Sequence, residues 1–195
     1  MAYVTAELVR TDLGITGTSL DDVLGDCIED AQAWIDREIG FTFEVSGTAG
    51  TTRYFDAVAD VDGLRLCLDK PAASIVNVTN GDDTAVSTSD YVTWPRNEAP
   101  YWYIELLASA DLEWERDSND DPQNAIAVTA NWAFSTAAPN DIRRACNVLA
   151  RHFYNQRKAE SMDVTAIGDS GVMAVPAAIP SVVMRIINGY RRIAI

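Results

Sequence analysis

Between Ser19 and Phe43 the hydrophobic period changes from 3.6 to 2, and Gly40 stands at the change. Leu24, Ile28, Ala31 and Ile35 recur at intervals of four, three and four residues, which lays them along one face of an α-helix. Val23, Cys27 and Trp34 widen that stripe. Ser19, with Asp22 three residues on, is placed as an N-cap with an acidic partner, and Gly40 fits the left-handed residue that stops a helix. Beyond it Phe41, Phe43 and Val45 alternate with polar residues, as a half-buried strand does. The chain therefore joins a long helix directly to a β segment.

Thr5 to Leu13 reads as a shorter helix ahead of it, with Thr5 as N-cap, Leu8, Val9 and Leu13 as its apolar side and Gly14 as its stop. From Phe41 to Phe134 short runs rich in β-branched and aromatic residues follow one another: Tyr54-Phe55, Leu64 to Leu68, Ile75 to Thr79, Tyr91 to Trp94, Tyr101 to Leu107 and Ala125 to Trp132. Leu64, Leu66 and Leu68 alternate with Arg65 and Cys67, and Asn80-Gly81-Asp82-Asp83 makes a turn between two runs. Four of the five tryptophans, Trp94, Trp102, Trp114 and Trp132, fall here and are expected to supply much of the core.

Helix returns at Pro139, where Ile142, Ala145, Leu149 and Phe153 repeat the spacing of the first long helix and Arg143, Arg144, Arg151, Arg157 and Lys158 leave the stripe. This helix is expected to pack on the Leu24 stripe. Ser161 to Ala178 is weakly patterned and reads as a mobile or draped connection. Pro180 to Ile195 forms a short amphipathic helix with Val183, Ile186, Ile187, Tyr190 and Ile193 beside Arg185, Arg191 and Arg192, suited either to packing on its own domain or to docking in a partner groove. The fold class expected is α+β: a small α-helical bundle with an inserted antiparallel β-sheet or barrel-like domain and a C-terminal helix. Residues 1–40 and 136–160 make the helical domain, 41–135 the β domain, and 161–195 the linker and docking helix.

A chain of 195 residues suits one domain, or one with a large insertion, and buries roughly two-thirds or more of its unfolded surface. Cys27, Cys67 and Cys146 are odd in number, widely spaced and set in apolar segments, so they are expected to be buried, reduced thiols. No run of eighteen apolar residues exists and Glu7 interrupts the N-terminus, so neither a membrane span nor a signal peptide is expected. Net charge is −14 and unevenly placed: seven Arg or Lys against 25 Asp or Glu up to Ala133, then eight against four. An acidic body argues against tight phosphate binding and suits docking through complementary patches.

Motifs for chemistry are absent. Asp117, Asn119 and Asp121 start like a calcium loop, but Pro122 stands in the place of the glycine and Val128 in that of the glutamate, which leaves a polar turn. His152, the only histidine, has no Cys or carboxylate at ligand spacing, so no metal site is expected. There is no Gly-x-Ser-x-Gly elbow, and Gly47 to Thr52 lacks the Lys of a P-loop. The acidic pairs Asp21-Asp22, Asp82-Asp83 and Asp120-Asp121 sit at helix starts or turns.

The order of elements carries a resemblance. Ala31, Trp34, Ile35 and Asp36 at the end of the long helix, Phe43, Arg53-Tyr54-Phe55, Leu64 and Leu66, and Ile75 to Val78 before Asn80-Gly81-Asp82 belong to it. So do Asp90-Tyr91, Ile104, Leu106, Val128 to Trp132, and Pro139 through Ile142 and Ala145. Over about residues 3 to 155 the chain resembles the head-tail connector (neck adaptor) proteins of long-tailed bacteriophages and gene-transfer particles. It departs from them in Ala130-Asn131-Trp132-Ala133, where the family often has glycines, and after Glu160, where no motif aligns.

The resemblance implies a non-enzymatic structural virion protein without a cofactor. Copies would form a homo-oligomeric ring, most often a dodecamer, beneath the portal protein, presenting the next neck, stopper or tail protein with a platform. Double-stranded DNA would pass through the lumen without specific binding, and assembly would take place in the host bacterial cytoplasm. The family's C-terminal segment engages the portal, a role that falls here to Ile186, Ile187, Tyr190, Arg191, Arg192 and Ile195. Two other readings stand beside it: a stopper or tail-terminator ring protein of the same particle, and a small carbohydrate-binding or hydrolytic β module built on Trp94, Tyr101, Trp102 and Tyr103.

Overall fold

The structure is a computed structural model and describes residues 2–47, 49–161 and 178–191. The chain divides into two compact units, Phe41–Ala137 on one side and Ala2–Gly40 with the described residues from Ala138 onward on the other. The fold is mixed α+β with a C-terminal helix.

The helical unit contains α1 (Ala6–Asp12), α2 (Asp21–Ile39), α3 (Asn140–Ser161) and α4 (Ser181–Asn188). Thr5 caps α1, its hydroxyl accepting from the Leu8 N–H at 3.3 Å. The start of α2 differs from the sequence expectation. The Thr18 carbonyl accepts the Asp21 N–H at 3.1 Å, so Ser19 lies inside a turn and Leu20 occupies the cap position without a side-chain bond. First-turn carboxylates at Asp21 and Asp22 face the positive end of the helix instead. Asp21 also takes both oxygens to the Arg10 guanidinium, at 2.8 and 2.7 Å. At the other end Gly40 adopts φ 90° and donates its N–H to the Asp36 carbonyl at 2.8 Å, as the period change predicts.

Leu24, Cys27, Ile28, Ala31 and Ile35 are buried along α2, while Val23 and Trp34 are half-buried at the margins of the stripe. α2 packs on α3, whose Ile142, Ala145, Cys146 and Leu149 are buried and whose Phe153 is half-buried. Each large aliphatic side chain in this seam stabilises the unit by about 1.5–3 kcal/mol. α4 closes the unit on α3 and α2 through Val183 and Ile187. Tyr3 ties the N-terminus down: its N–H donates to Gln32 Oε1 at 3.1 Å, its hydroxyl donates to Asp36, and its carbonyl accepts from Arg143 Nε at 3.2 Å.

In the other unit, Phe41 to Val45 alternates in burial but does not form a strand. Its pairing is a single parallel bridge, Glu44 to Ser135, with the Phe134 N–H donating to the Thr42 carbonyl at 2.9 Å. The period of 2 records an aromatic cluster: Phe43 and Phe134 lie 5.3 and 6.1 Å from Phe41, and Trp102 meets Phe41 edge-on at 5.7 Å. The strands are β1 (Thr51–Phe55), β2 (Val61–Asp62), β3 (Arg65–Ala72), β4 (Ser74–Thr79), β5 (Tyr91–Trp94), β6 (Tyr101–Leu106) and β7 (Ile126–Asn131). They form two antiparallel sheets, ordered β1-β7-β4 and β2-β3-β6-β5. All six expected runs are strands, and β2 is too short to have shown alternation.

Leu66, Leu68, Val78, Ile104, Leu106, Ile126 and Val128 fill the core of this unit. Trp114 joins them and donates its Nε1–H to the Leu64 carbonyl at 2.9 Å. Trp94, Trp102 and Trp132 are only half-buried, so the tryptophans contribute less core than expected. Cys67 corrects a second expectation, because strand alternation turns Leu66 and Leu68 inward and leaves Cys67 exposed between them.

Candidate assembly surfaces

The C-terminal segment is held onto its own unit. Ile187 is fully buried there, Ile186 is half-buried, and Tyr190 follows α4 in a turn. The Tyr190 hydroxyl donates to both carboxylate oxygens of Asp141, at 2.8 and 2.9 Å. Burial, then the bond to Asp141 and its charge, push the phenol up to about 12. Arg191 is exposed and donates to Glu38 Oε2 at 2.8 Å. Arg192 and Ile195 lie outside the described residues. Of the six candidate docking residues, then, Ile187 faces inward, while Ile186, Tyr190 and Arg191 stand at or near the surface of the helical unit.

A second surface lies on the outer face of the sheet β2-β3-β6-β5. Register places Arg65, Glu105 and Val92 in one row and Cys67, Tyr103 and Trp94 in the next. Trp94 stacks on Tyr103 with centroids 5.8 Å apart and planes 24° apart. Guanidinium groups close the stack at both ends, Arg96 5.2 Å from the Trp94 centroid and Arg65 5.5 Å from that of Tyr103. Glu105 collects the polar edges: it accepts from Trp94 Nε1 at 2.8 Å and Arg65 Nε at 3.3 Å, with Arg96 Nη2 4.0 Å away. The Trp94 bond leads the effects that hold its carboxyl below the usual carboxylate range.

The ladder was not visible in the sequence because it depends on cross-strand register, although the alternation of Tyr103 and Glu105 with Ile104 and Leu106 marks an outward face. The four aromatics grouped by sequence separate in space. Trp94 and Tyr103 form the outer stack, Trp102 meets Phe41, and Tyr101 packs against the core, so they do not make one platform.

The remaining polar clusters are structural. Asp117 Oδ1 accepts the N–H groups of Asn119 and Asp121 at 2.8 and 2.9 Å, and these bonds hold its carboxyl low. Asn80 is buried in the turn, donating to the Glu113 carbonyl at 2.8 Å and accepting from the Glu115 N–H at 3.0 Å. His152 is buried beside Phe153, and burial lowers its pKa. Among the described residues no group of His, Cys, Asp and Glu is arranged to hold a metal, and no helix is long and apolar enough to cross a membrane.

The family model described as "Head completion protein" matches residues 2–193. No curated protein matches the chain. Among solved structures, the chain is similar to one in the neck of an empty gene transfer agent (GTA) particle computed with C6 symmetry, at TM-score 0.58 and 19% identity, over 99% of this chain and 91% of that one. A chain in the virion of the native gene transfer agent particle matches at TM-score 0.58 and 20% identity, with the same coverage. Sharing of fold at that identity, together with a family match over nearly the whole length, leads to one conclusion: this chain belongs to the head completion protein family.

Proposed function

We propose that this chain is a structural, non-enzymatic subunit of the virion neck, a head-tail connector that forms a ring beneath the portal and joins the DNA-filled head to the next neck or tail component. The observation that carries the reading is the family match over residues 2–193, joined to a fold shared along 99% of the chain with a component of a particle neck. A ring of twelve copies is compatible with the six-fold symmetry of that neck, since two copies then occupy each repeat. A lumen lined by some of the 29 Asp and Glu residues would repel phosphates and let double-stranded DNA slide.

The C-terminal segment is the portal contact in this reading. Ile187 and Val183 hold α4 to the helical unit, while Ile186, Tyr190, Arg191, Arg192 and Ile195 supply apolar and cationic contacts to the portal. Deleting the segment would uncover the seat of Val183 and Ile187, so charge reversal is the cleaner test. R191E with R192E gives up the partly exposed Arg191–Glu38 pair but leaves the buried seat of Val183 and Ile187, and should give a chain that still folds by circular dichroism and attaches poorly to portal-bearing heads in a pull-down. Unchanged attachment removes the docking role. Crosslinks to a tail protein in place of the portal would make the chain a stopper or terminator.

A further inference from the structure

The aromatic and arginine ladder on the outer face of β2-β3-β6-β5 stands on the more acidic part of the chain. From Phe41 to Ala137 there are sixteen Asp or Glu against five Arg or Lys, a net charge of −11. Two such units repel across most of their surface. The ladder is the exception, because it holds two of those five cations, Arg65 and Arg96, against Glu105 and against Asp62, which pairs with Arg65 in register. It is a charge-balanced face in a strongly negative surround.

We propose that this face is a contact between successive copies of the chain, in which Arg96, Trp94, Tyr103 and Arg65 receive a carboxylate-bearing surface of the next copy. The proposal rests on the ring reading above. Arg96 is the anchor. Its guanidinium is positioned over Trp94, yet among the described residues it makes no hydrogen bond and comes no nearer than 4.0 Å to a carboxylate. Its planar donors therefore carry no hydrogen bond, and the Trp94 ring with the loose pairing to Glu105 biases the exposed side chain toward one orientation, which lowers the ordering cost of a bidentate carboxylate bond. Trp, Tyr and Arg are also the residues that dominate binding energy at protein interfaces.

Charge complementarity selects the occupant. A ring contact joins two different faces of the same chain, and the two arginines of this face stand in a unit of sixteen carboxylates and five cations, so the neighbouring copy of that unit offers carboxylates far more often than cations. The surrounding acids disfavour a nucleic acid on the same aromatics.

Cys67 gives the readout. It is exposed in the row of Tyr103 and Trp94, whereas Cys27 and Cys146 are buried with thiols pushed up, Cys146 to about 12. Maleimide labelling of the full chain, expressed alone and with the portal of its own particle, therefore reports this face, with mass photometry reporting rings. We expect Cys67 to react freely in the monomer and at least about tenfold more slowly in the ring. R96E should keep the monomer's circular dichroism and melting temperature and weaken ring formation by about tenfold or more, with partial recovery in R96K. Equal Cys67 labelling in ring and monomer, with R96E rings intact, overturns the proposal and leaves the ring reading standing. Protection that arises only when another neck protein joins a finished ring assigns the face to that protein and also overturns it. A wild-type chain that stays monomeric with its portal overturns both.

Discussion

The Tyr190 hydroxyl donates to both oxygens of Asp141, which joins the turn after α4 to the first turn of α3 across 49 residues of sequence. α4 is thus fastened at its end by a charge-assisted bond and along its length by Val183 and Ile187.

Y190F should lower stability by about 1 kcal/mol at neutral pH. The phenol keeps its proton to about 12 in the folded chain, against about 10 when unfolded. Its contribution is therefore fully present below the unfolded value and lost as pH rises through the folded one. Urea melts at pH 8 and pH 11 should show the gap between wild type and Y190F narrowing at the higher pH.

Gly81 leaves no room for a side chain, because a Cβ there would lie 2.1 Å from the Glu115 carbonyl oxygen and 2.5 Å from that of Arg116. G81A should cost about 1–3 kcal/mol or more, since both neighbours are backbone. N80A breaks two bonds to the same segment, at Glu113 and Glu115, and should cost about 2 kcal/mol. Thermal melts of both variants beside wild type check the pair.

His152 is buried on α3 and should make the chain acid-sensitive above the carboxylate range. Burial lowers its pKa, so protonation favours the unfolded chain, and stability falls as pH drops below the unfolded value of about 6.5. As the only histidine, it should account for the slope of stability between about pH 7 and 5.5. H152Q should flatten denaturant midpoints over that window, while an unchanged slope would count against it.

I35A tests the helical seam. Ile35 is fully buried on α2, and truncation should cost about 2–5 kcal/mol in a denaturant melt.

Much of this fold was written in simple periodicities. Leu24, Ile28, Ala31 and Ile35 gave away the buried face of α2, Gly40 its end, and the alternating runs with Asn, Gly and Asp between them gave all six main strands. Four things were not legible, each for a physical reason. Ser19 lost the cap to a turn closed by a backbone bond from Asp21 to Thr18, a choice no side chain announces. Phe41 to Val45 alternates because Phe41 and Phe43 enter an aromatic cluster, while a ladder needs a partner strand that this stretch lacks. The stack of Trp94 on Tyr103 between Arg96 and Arg65 needs the register of β3, β6 and β5, which no single run encodes. The C-terminal residues were recognisable as amphipathic, but only the packing shows Ile187 turned inward and Ile186 near the surface.

Imaging the particle neck tests the central claim most directly. Cryo-electron microscopy of particles containing this chain should show it as a closed ring between portal and tail, with its C-terminal segment against the portal. Particles with complete necks and joined tails in its absence, or density for the chain elsewhere in the virion, would contradict the account.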